Sequence, residues 1–379
     1  MKIAVLEWMC GGGTSIHPWG ETPTLPARDQ LQAFSMHREG MAMLASLVEQ
    51  LTEAGNEVYV AISRELQETR FLLKLREAAH VVLLEPSHQS DLLEHWRSIA
   101  QSCDQAVVIA PECGGALQAA VEKLGTLPNV LVNCSGPFLS TACSKLKTAR
   151  ALAEAGISHP PTLPLQALTL AWLKSTQDLC RTARDEPQWI VKPDDGAGCE
   201  GVLRLGRNEL LQRHAQLLAQ PEPLLVQPCL AGAAFGCSAI IDARGNAHWL
   251  PPATQNLEAV GELEQGWEYR GGEISLGGNQ VIPPRRLVDA ALRACGTGGM
   301  GWVGVDMLFD LHSNSWTVIE INPRFTTSVV GLASAYTGNL ISETLQLANG
   351  QRRELAGAFT QSVSFDAVGN VVPLASPER

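Results

Sequence analysis

GWVGVDMLFD (301–310), LHSNS (311–315) and WTVIEINPR (316–324) read as two strands joined by a short polar turn, and their pairing decides the fold. If residues 310 and 316 close the turn, Asp306 stands directly across from Glu320, roughly 4.5–5.5 Å apart at Cβ. Alternation along a strand then puts Asn322 on the same face as Glu320. Val305, Met307, Ile319 and Ile321 make the alternate positions too apolar for an exposed hairpin. Like charges set opposite each other destabilise a sheet unless something neutralises them. The oxygen donors of Asp306, Glu320 and Asn322 suit Mg²⁺ or Mn²⁺; the competing reading is a solvated acidic face. Arg324, directly after Pro323, carries the fork geometry that clamps a carboxylate or phosphate.

IVKPDDGAGCEGV (190–202) places Lys192 at the end of a buried strand, where an ammonium either snorkels to water or meets an anion. Gly196, Gly198 and Gly201 offer backbone N–H groups that can fold over phosphates. This strand–loop–strand cover is not a P-loop, because GxxxxGK[ST] is absent. Lys145, on a preceding helix, would by default be a surface lysine. Two cations, a glycine flap and a carboxylate-bound metal together make a site for an ATP triphosphate, in which catalysis is mostly positioning and charge neutralisation.

LEWMCGGG (6–13) also resembles a nucleotide loop at first sight. The following GGGTSIHPWG breaks the GxGxxG spacing, and prolines at 18, 23 and 26 do not open a helix. Gly11, Gly12 and Gly13 are left as either a flexible turn or part of a substrate crevice at a strand's carboxyl end. Strands 2–8, 57–62, 80–85, 105–111 and 129–135 alternate with helices at 37–55, near 89–102 and at 114–124, which predicts a parallel sheet flanked by helices. A helix within 135–157 carries Lys145, another covers 167–184, and strands follow at 188–193, 202–205 and 224–229. From 231 hairpins dominate. The pattern contains no internal repeat.

A chain of 379 residues suits two or three domains. A net charge of −11 without a basic, aromatic-interleaved patch argues against nucleic acid as a partner. None of the ten cysteines forms a CxxC pair, which points to reduced thiols in a cytoplasmic protein. The N-terminus lacks signal-peptide organisation. No stretch approaches ~18 uninterrupted apolar residues, so no membrane partner is expected.

SKLKTARAL (144–152), VKPDDGAGCEGV (191–202), LVQPCLAG (225–232), GWVGVDMLFD and VIEINPR follow in an order and spacing that resembles the ATP-grasp superfamily. The resemblance covers about residues 136–345 and implies an α/β fold: an ATP-grasp fold preceded by a Rossmann-like pre-ATP-grasp domain. The implied divisions are 1–135 for that first domain, 136–228 for the lid region with its flap, 229–350 for the metal-binding region, and 351–379 for a C-terminal tail. It further implies that Lys145 and Lys192 bind ATP phosphates, with Gly196, Ala197 and Gly198 in the flap. Asp306, Glu320 and Asn322 would hold one or two Mg²⁺, and Arg324 would stabilise an acyl phosphate or tetrahedral intermediate. The hinge Val226–Leu230, including Gln227 and Leu230, would face adenine, although Gln227-Pro228 stands where the family often has Gln-Glu. NPRFTTSVVGL (322–332), YRGGEI (269–274) and REGMAML (38–44) are similar to the group containing tyramine–glutamate ligase of methanofuran biosynthesis. The implied reaction joins a small-molecule carboxylate to an amine at the expense of ATP, with Gly11–Gly13, Gln255 and Arg270 as substrate contacts and a homo-oligomer compatible. Carboxylase-type or kinase-type chemistry and a non-catalytic nucleotide-binding protein are the alternatives.

Overall fold

The computed structural model describes residues 1–13, 27–66, 69–86, 88–128, 130–180, 186–260, 266–277 and 281–374, with the first helix's side chains from residue 35 onward. Short apolar runs form the first sheet: β1 (Lys2–Glu7), β2 (Glu57–Ser63), β3 (His80–Leu84) and β4 (Gln105–Ile109). The strands are parallel in the order β3-β2-β1-β4, and such a sheet needs cover on both faces. Alternation along β1 supplies it. Ile3 and Val5 join the apolar cluster of Leu44, Leu47 and Leu51 from the helix Ala27–Glu53. Ala4 and Leu6 join that of Leu92 and Trp96 from the helix Gln89–Gln101.

Three expectations for this region change. The first helix begins at Ala27 rather than near residue 37; the prolines at 18, 23 and 26 lie outside the described residues. A helix at Arg70–Ala78 was not expected. The expected strand 129–135, whose residue 129 is also outside the described set, reduces to a bridge between Leu131 and Ala106. Asn133 explains this: its side-chain amide exchanges two 2.9 Å hydrogen bonds with the backbone N–H and C=O of Val108, where a strand would have offered its own backbone.

The connection to the second sheet holds two helices, Gly136–Ala142 and Lys145–Glu154, instead of one. Ser144 interrupts them in extended conformation and accepts Lys147 N–H at 3.2 Å, the geometry of an N-cap. The antiparallel second sheet comprises β5 (Leu163–Pro164), β6 (Gln188–Pro193), β7 (Leu203–Gly206) and β8 (Leu224–Pro228) in the order β5-β8-β6-β7. The helix expected over 167–184 is the shorter Leu170–Thr176 with a tight turn at Gln177–Leu179; residues 181–185 lie outside the described set.

The third sheet contains β9 (Ala233–Ile241), β10 (Ala247–Trp249), β11 (Ala253–Val260), β12 (Gly266–Ile274), β13 (Gly301–Asp310), β14 (Ser315–Asn322), β15 (Val363–Asp366) and β16 (Val371–Pro373). The order is β14-β13-β9-β11-β12-β15-β16, with β10 on β9. Residues 351–379, expected as a tail, thus contribute two strands to the sheet. The β13–β14 turn closes between Asp310 and Ser315, and a bulge after Asp306 restores the pairing of Asp306 with Glu320. The extra residue is Ile319. Val318 and Ile321 both enter the core, while Ile319 opens onto a cavity instead of the core that strict alternation predicts. No described helix is long and apolar enough to cross a membrane.

Candidate active site

A cavity of about 620 Å³ lies between the second and third sheets and takes its lining from both. Lys145, Lys192, Gly196, Gly198, Gln227, Leu230, Gln255, Asp306, Glu320, Asn322 and Arg324 all line it. Residues spread over 180 positions of sequence therefore converge, because β6, β8, β9, β13 and β14 all present one face to the same space.

Asp306 sits opposite Glu320 in the β13–β14 register, with Asn322 one alternation further on. Asn322 Nδ2 donates to Asp306 Oδ2 at 3.0 Å, and Gln255 Nε2 donates to Asp306 Oδ1 at 2.7 Å. Gln255 therefore supports the carboxylate rather than standing free for a substrate. Burial, and next the charge of Glu320, push the Asp306 carboxyl up to about 7. Burial acts on Glu320 as well, but Lys145 and Lys192 outweigh it and hold this carboxylate below its ordinary value. Two facing half-buried carboxylates on one wall of a cavity fit a hard divalent cation. Among the described residues no group of three or more His, Cys, Asp or Glu forms a metal cage. The donor set here is two carboxylates and an amide oxygen, which leaves room for phosphate oxygens and water around an ion.

Lys145 and Lys192 stand in contrasting environments. Lys145 Nζ lies 3.3 Å from Glu320 Oε2 and donates to the Gly196 carbonyl. Burial depresses its pKa, but Glu320 and Glu112 carry it above the ordinary lysine value. Asp194 fixes the helix that bears it: Leu146 N–H donates to Asp194 Oδ1 and the Ser144 hydroxyl to Oδ2, both at 2.8 Å. Lys192 is only 6 % exposed and has no hydrogen-bond or ion-pair partner among the described residues. Burial dominates it and lowers its pKa. An ammonium in that position calls for an anion in the cavity.

The flap joins β6 to β7, with Gly198 at φ +59°, Gly201 at +66° and, unusually for a residue with a Cβ, Cys199 at +64°. Ala197 is buried and does not line the cavity. In the hinge, Gln227 Nε2 donates to Thr162 Oγ1 at 2.7 Å, so its side chain is committed and Pro228, Cys229 and Leu230 supply the remaining lining.

Two of the expected substrate contacts, the Gly11–Gly13 turn and Arg270, lie elsewhere. Gly11–Gly13 form a buried turn, with Gly11 N–H to Glu7 O and Gly13 N–H to Trp8 O at 2.9 Å each, and do not line the cavity. Arg270 is exposed and pairs with Glu258 at 2.6 Å and Glu268 at 2.8 Å; alternation along β12 turns Trp267 and Tyr269 to the cavity instead. Arg324 reaches the cavity, but it is held by Glu112, a residue the sequence reading missed. Glu39 was missed too; it lines the cavity and accepts Thr327 Oγ1 at 2.6 Å. Glu112 directly follows Pro111 where β4 ends, and acidic residues at strand carboxyl ends are the signal that could have revealed it.

The sequence matches the family model described as an ATP-grasp domain over residues 142–328 and the pre ATP-grasp 3 domain over 57–137. Together with the three-sheet fold and its cavity, these matches define the class: the chain belongs to the ATP-grasp superfamily, with a pre-ATP-grasp domain in front. Among solved structures it is similar to a putative ATP-grasp superfamily protein from Archaeoglobus fulgidus (18 % identity, TM-score 0.58, 96 % of this chain and 92 % of that one). It is also similar to N5-carboxyaminoimidazole synthetase from Staphylococcus aureus complexed with ADP (13 %, 0.64, 96 % and 81 %). A third is an L-amino acid ligase from Bacillus licheniformis (15 %, 0.60, 96 % and 78 %). No curated protein matches the sequence.

Proposed function

We propose that the protein is an ADP-forming ATP-grasp carbon–nitrogen ligase that joins a small carboxylate to an amine. The observation that carries this reading is Lys192, a buried ammonium with no hydrogen bond or close ion pair among the described residues, in the same cavity as the facing pair Asp306 and Glu320. A polyanion that brings its own divalent cation satisfies both at once, and MgATP has that chemistry. In this reading Lys145 and Lys192 bind phosphate oxygens, the flap around Gly196–Gly198 covers them, and the hinge at Gln227–Leu230 meets the base. Asp306, Glu320 and Asn322 would hold Mg²⁺ or Mn²⁺; when bound, the ion offsets negative charge on the phosphates. Lys145 is kept cationic by Glu320 and oriented by Asp194. Lys192 is kept out of water, which strengthens its attraction for a phosphate.

The reaction has two parts. A carboxylate oxygen of the substrate bonds to the γ-phosphorus while the bond to ADP breaks; the amine nitrogen then attacks the carbonyl carbon, phosphate leaves and the nitrogen loses a proton. Arg324 offers N–H groups to the oxygens on which charge builds. The similarity of 38–44, 269–274 and 322–332 to the tyramine–glutamate ligase group makes glutamate and tyramine, or a related amino compound, the first pair to try, in methanofuran-type cofactor synthesis. The ten free thiols agree with a reducing, cytoplasmic setting. An ADP-release screen of carboxylate and amine pairs, begun with L-glutamate plus tyramine or tyrosine, tests this. ADP formation that needs both partners supports the ligase; ATP turnover by no pair removes its main support.

A further inference from the structure

Arg324 reaches the cavity already in the grip of another domain. Its Nε donates to Glu112 Oε1 and its Nη2 to Glu112 Oε2, both at 2.9 Å, and its Nη1 donates to the Phe325 carbonyl at 3.2 Å. Glu112 is 5 % exposed and lies just beyond β4 of the first sheet, 212 residues from its partner. A guanidinium carries five N–H groups in one plane. Three are used here, which leaves one on Nη1 and one on Nη2, on a side chain that lines the cavity.

The same loop has a second contact. Gly114 N–H donates to Asp195 Oδ2 at 2.9 Å, and Asp195 opens the glycine flap directly after Asp194, the residue that fixes the Lys145 helix. One short turn of the first domain therefore touches both Arg324 and the base of the flap.

We propose that Glu112 is the positioning residue for Arg324: its carboxylate fixes the plane of the guanidinium and offsets its charge, so that the free Nη1 and Nη2 N–H groups are presented to the reacting oxygens. This rests on the ligase reading for its purpose and on the bidentate contact for its geometry. Stability alone is a poor reason for such a pair, since a buried ion pair gives little over apolar residues of the same shape. A bidentate carboxylate does give orientation, because it admits one rotation of the fork. With its charge matched, Arg324 selects by the direction of its two free N–H groups more than by attraction for any anion.

The test uses the full chain labelled with ¹⁵N-arginine, with Arg324→Lys to assign the Arg324 Nε–Hε resonance. The wild type should show this proton protected from solvent exchange. Glu112→Gln should exchange about tenfold faster or more, as expected for loss of one charge-assisted hydrogen bond. Glu112→Asp, which keeps the charge, should restore part of the protection. Unchanged exchange in Glu112→Gln would overturn the proposal. Failure of wild type to bind MgATP would instead sink the ligase reading and leave the exchange result standing by itself. If Glu112→Gln does not fold, the double variant Glu112→Gln/Arg324→Gln decides. Recovery of cooperative unfolding assigns the defect to an unpaired Arg324 and supports the proposal; continued failure makes Glu112 a structural residue and overturns it.

Discussion

Two glycine-rich stretches follow two strands of this molecule, and Gly11 and Gly13 of the first are glycine for a different reason from Gly198 of the second. After β1, Gly11–Gly13 are packed so tightly that a Cβ on Gly13 would fall 2.1 Å from Trp8 Nε1, and one on Gly11 would fall 2.9 Å from the Glu7 carbonyl. After β6, a Cβ on Gly198 would meet Met36 Cγ at 3.2 Å and little else, but its φ of +59° disfavours any side chain. Gly11 and Gly13 lack room, Gly198 needs a left-handed backbone beside the cavity, and Gly12 (φ +99°) and Gly201 (φ +66°, with a Cβ 2.9 Å from Pro193 Cγ) combine the two. The difference shows why a strand followed by glycines is no evidence for a nucleotide loop until the surroundings of each Cα are known.

That contrast can be broken by substitutions on either side of it. The largest effect is expected at the cavity itself. Glu320→Gln should lower ADP formation by about a thousandfold or more, as for loss of a charged group acting on the transition state, with cooperative unfolding retained; wild-type-like ADP release would refute its role.

The next effect belongs to the packed side. Glu7 is buried against the Gly11–Gly13 turn, accepts Cys10 N–H at 2.6 Å, and leaves a Cβ on Gly40 only 2.6 Å from its Oε1. Burial, opposed by the hydrogen bonds from Cys10, pushes its carboxyl up to about 7 from 4.5. The folded state thus holds a proton that the unfolded state has lost over that interval, so stability present at lower pH is lost as pH rises towards 7. Glu7→Gln should remove this slope and be more stable by up to about 3 kcal/mol above neutrality. Urea unfolding at about pH 5 and about pH 8 measures it; identical slopes in both proteins would show that Glu7 is not protonated by its burial.

Gly13→Ala should cost about 2–3 kcal/mol of stability through overpacking against Trp8, while MgATP affinity of the folded protein is unchanged. A substitution that spared stability and weakened MgATP would reverse the assignment of this turn. Gly198→Ala should do least of all: about 1 kcal/mol of left-handed strain, carried by the unliganded fold and seen as a small fall in melting temperature.

How much of this was legible in the sequence depends on how each contact is made. Pairing of Asp306 with Glu320 was readable because both sit on adjacent strands of one hairpin, where spacing fixes geometry. The register came out right through two offsetting differences, a turn one residue shorter than expected and a bulge at Ile319. Lys192 was readable as a charge at the end of an apolar run. Glu112, Glu39 and the commitment of Gln255 were not, because their partners are Arg324, Thr327 and Asp306, reached across 212, 288 and 51 residues. No local period carries that information. Nor could composition separate a glycine with no room from a glycine with a left-handed backbone.

In the ligase reading the cavity between the second and third sheets takes the triphosphate of MgATP through Lys192. Calorimetric titration of MgATP into wild type and Lys192→Met tests it most directly. One site per chain is expected in the wild type, with affinity weaker by about tenfold or more in the variant, the cost of losing a charge-assisted contact. Equal affinity in the two proteins, or no binding by the wild type, would contradict it.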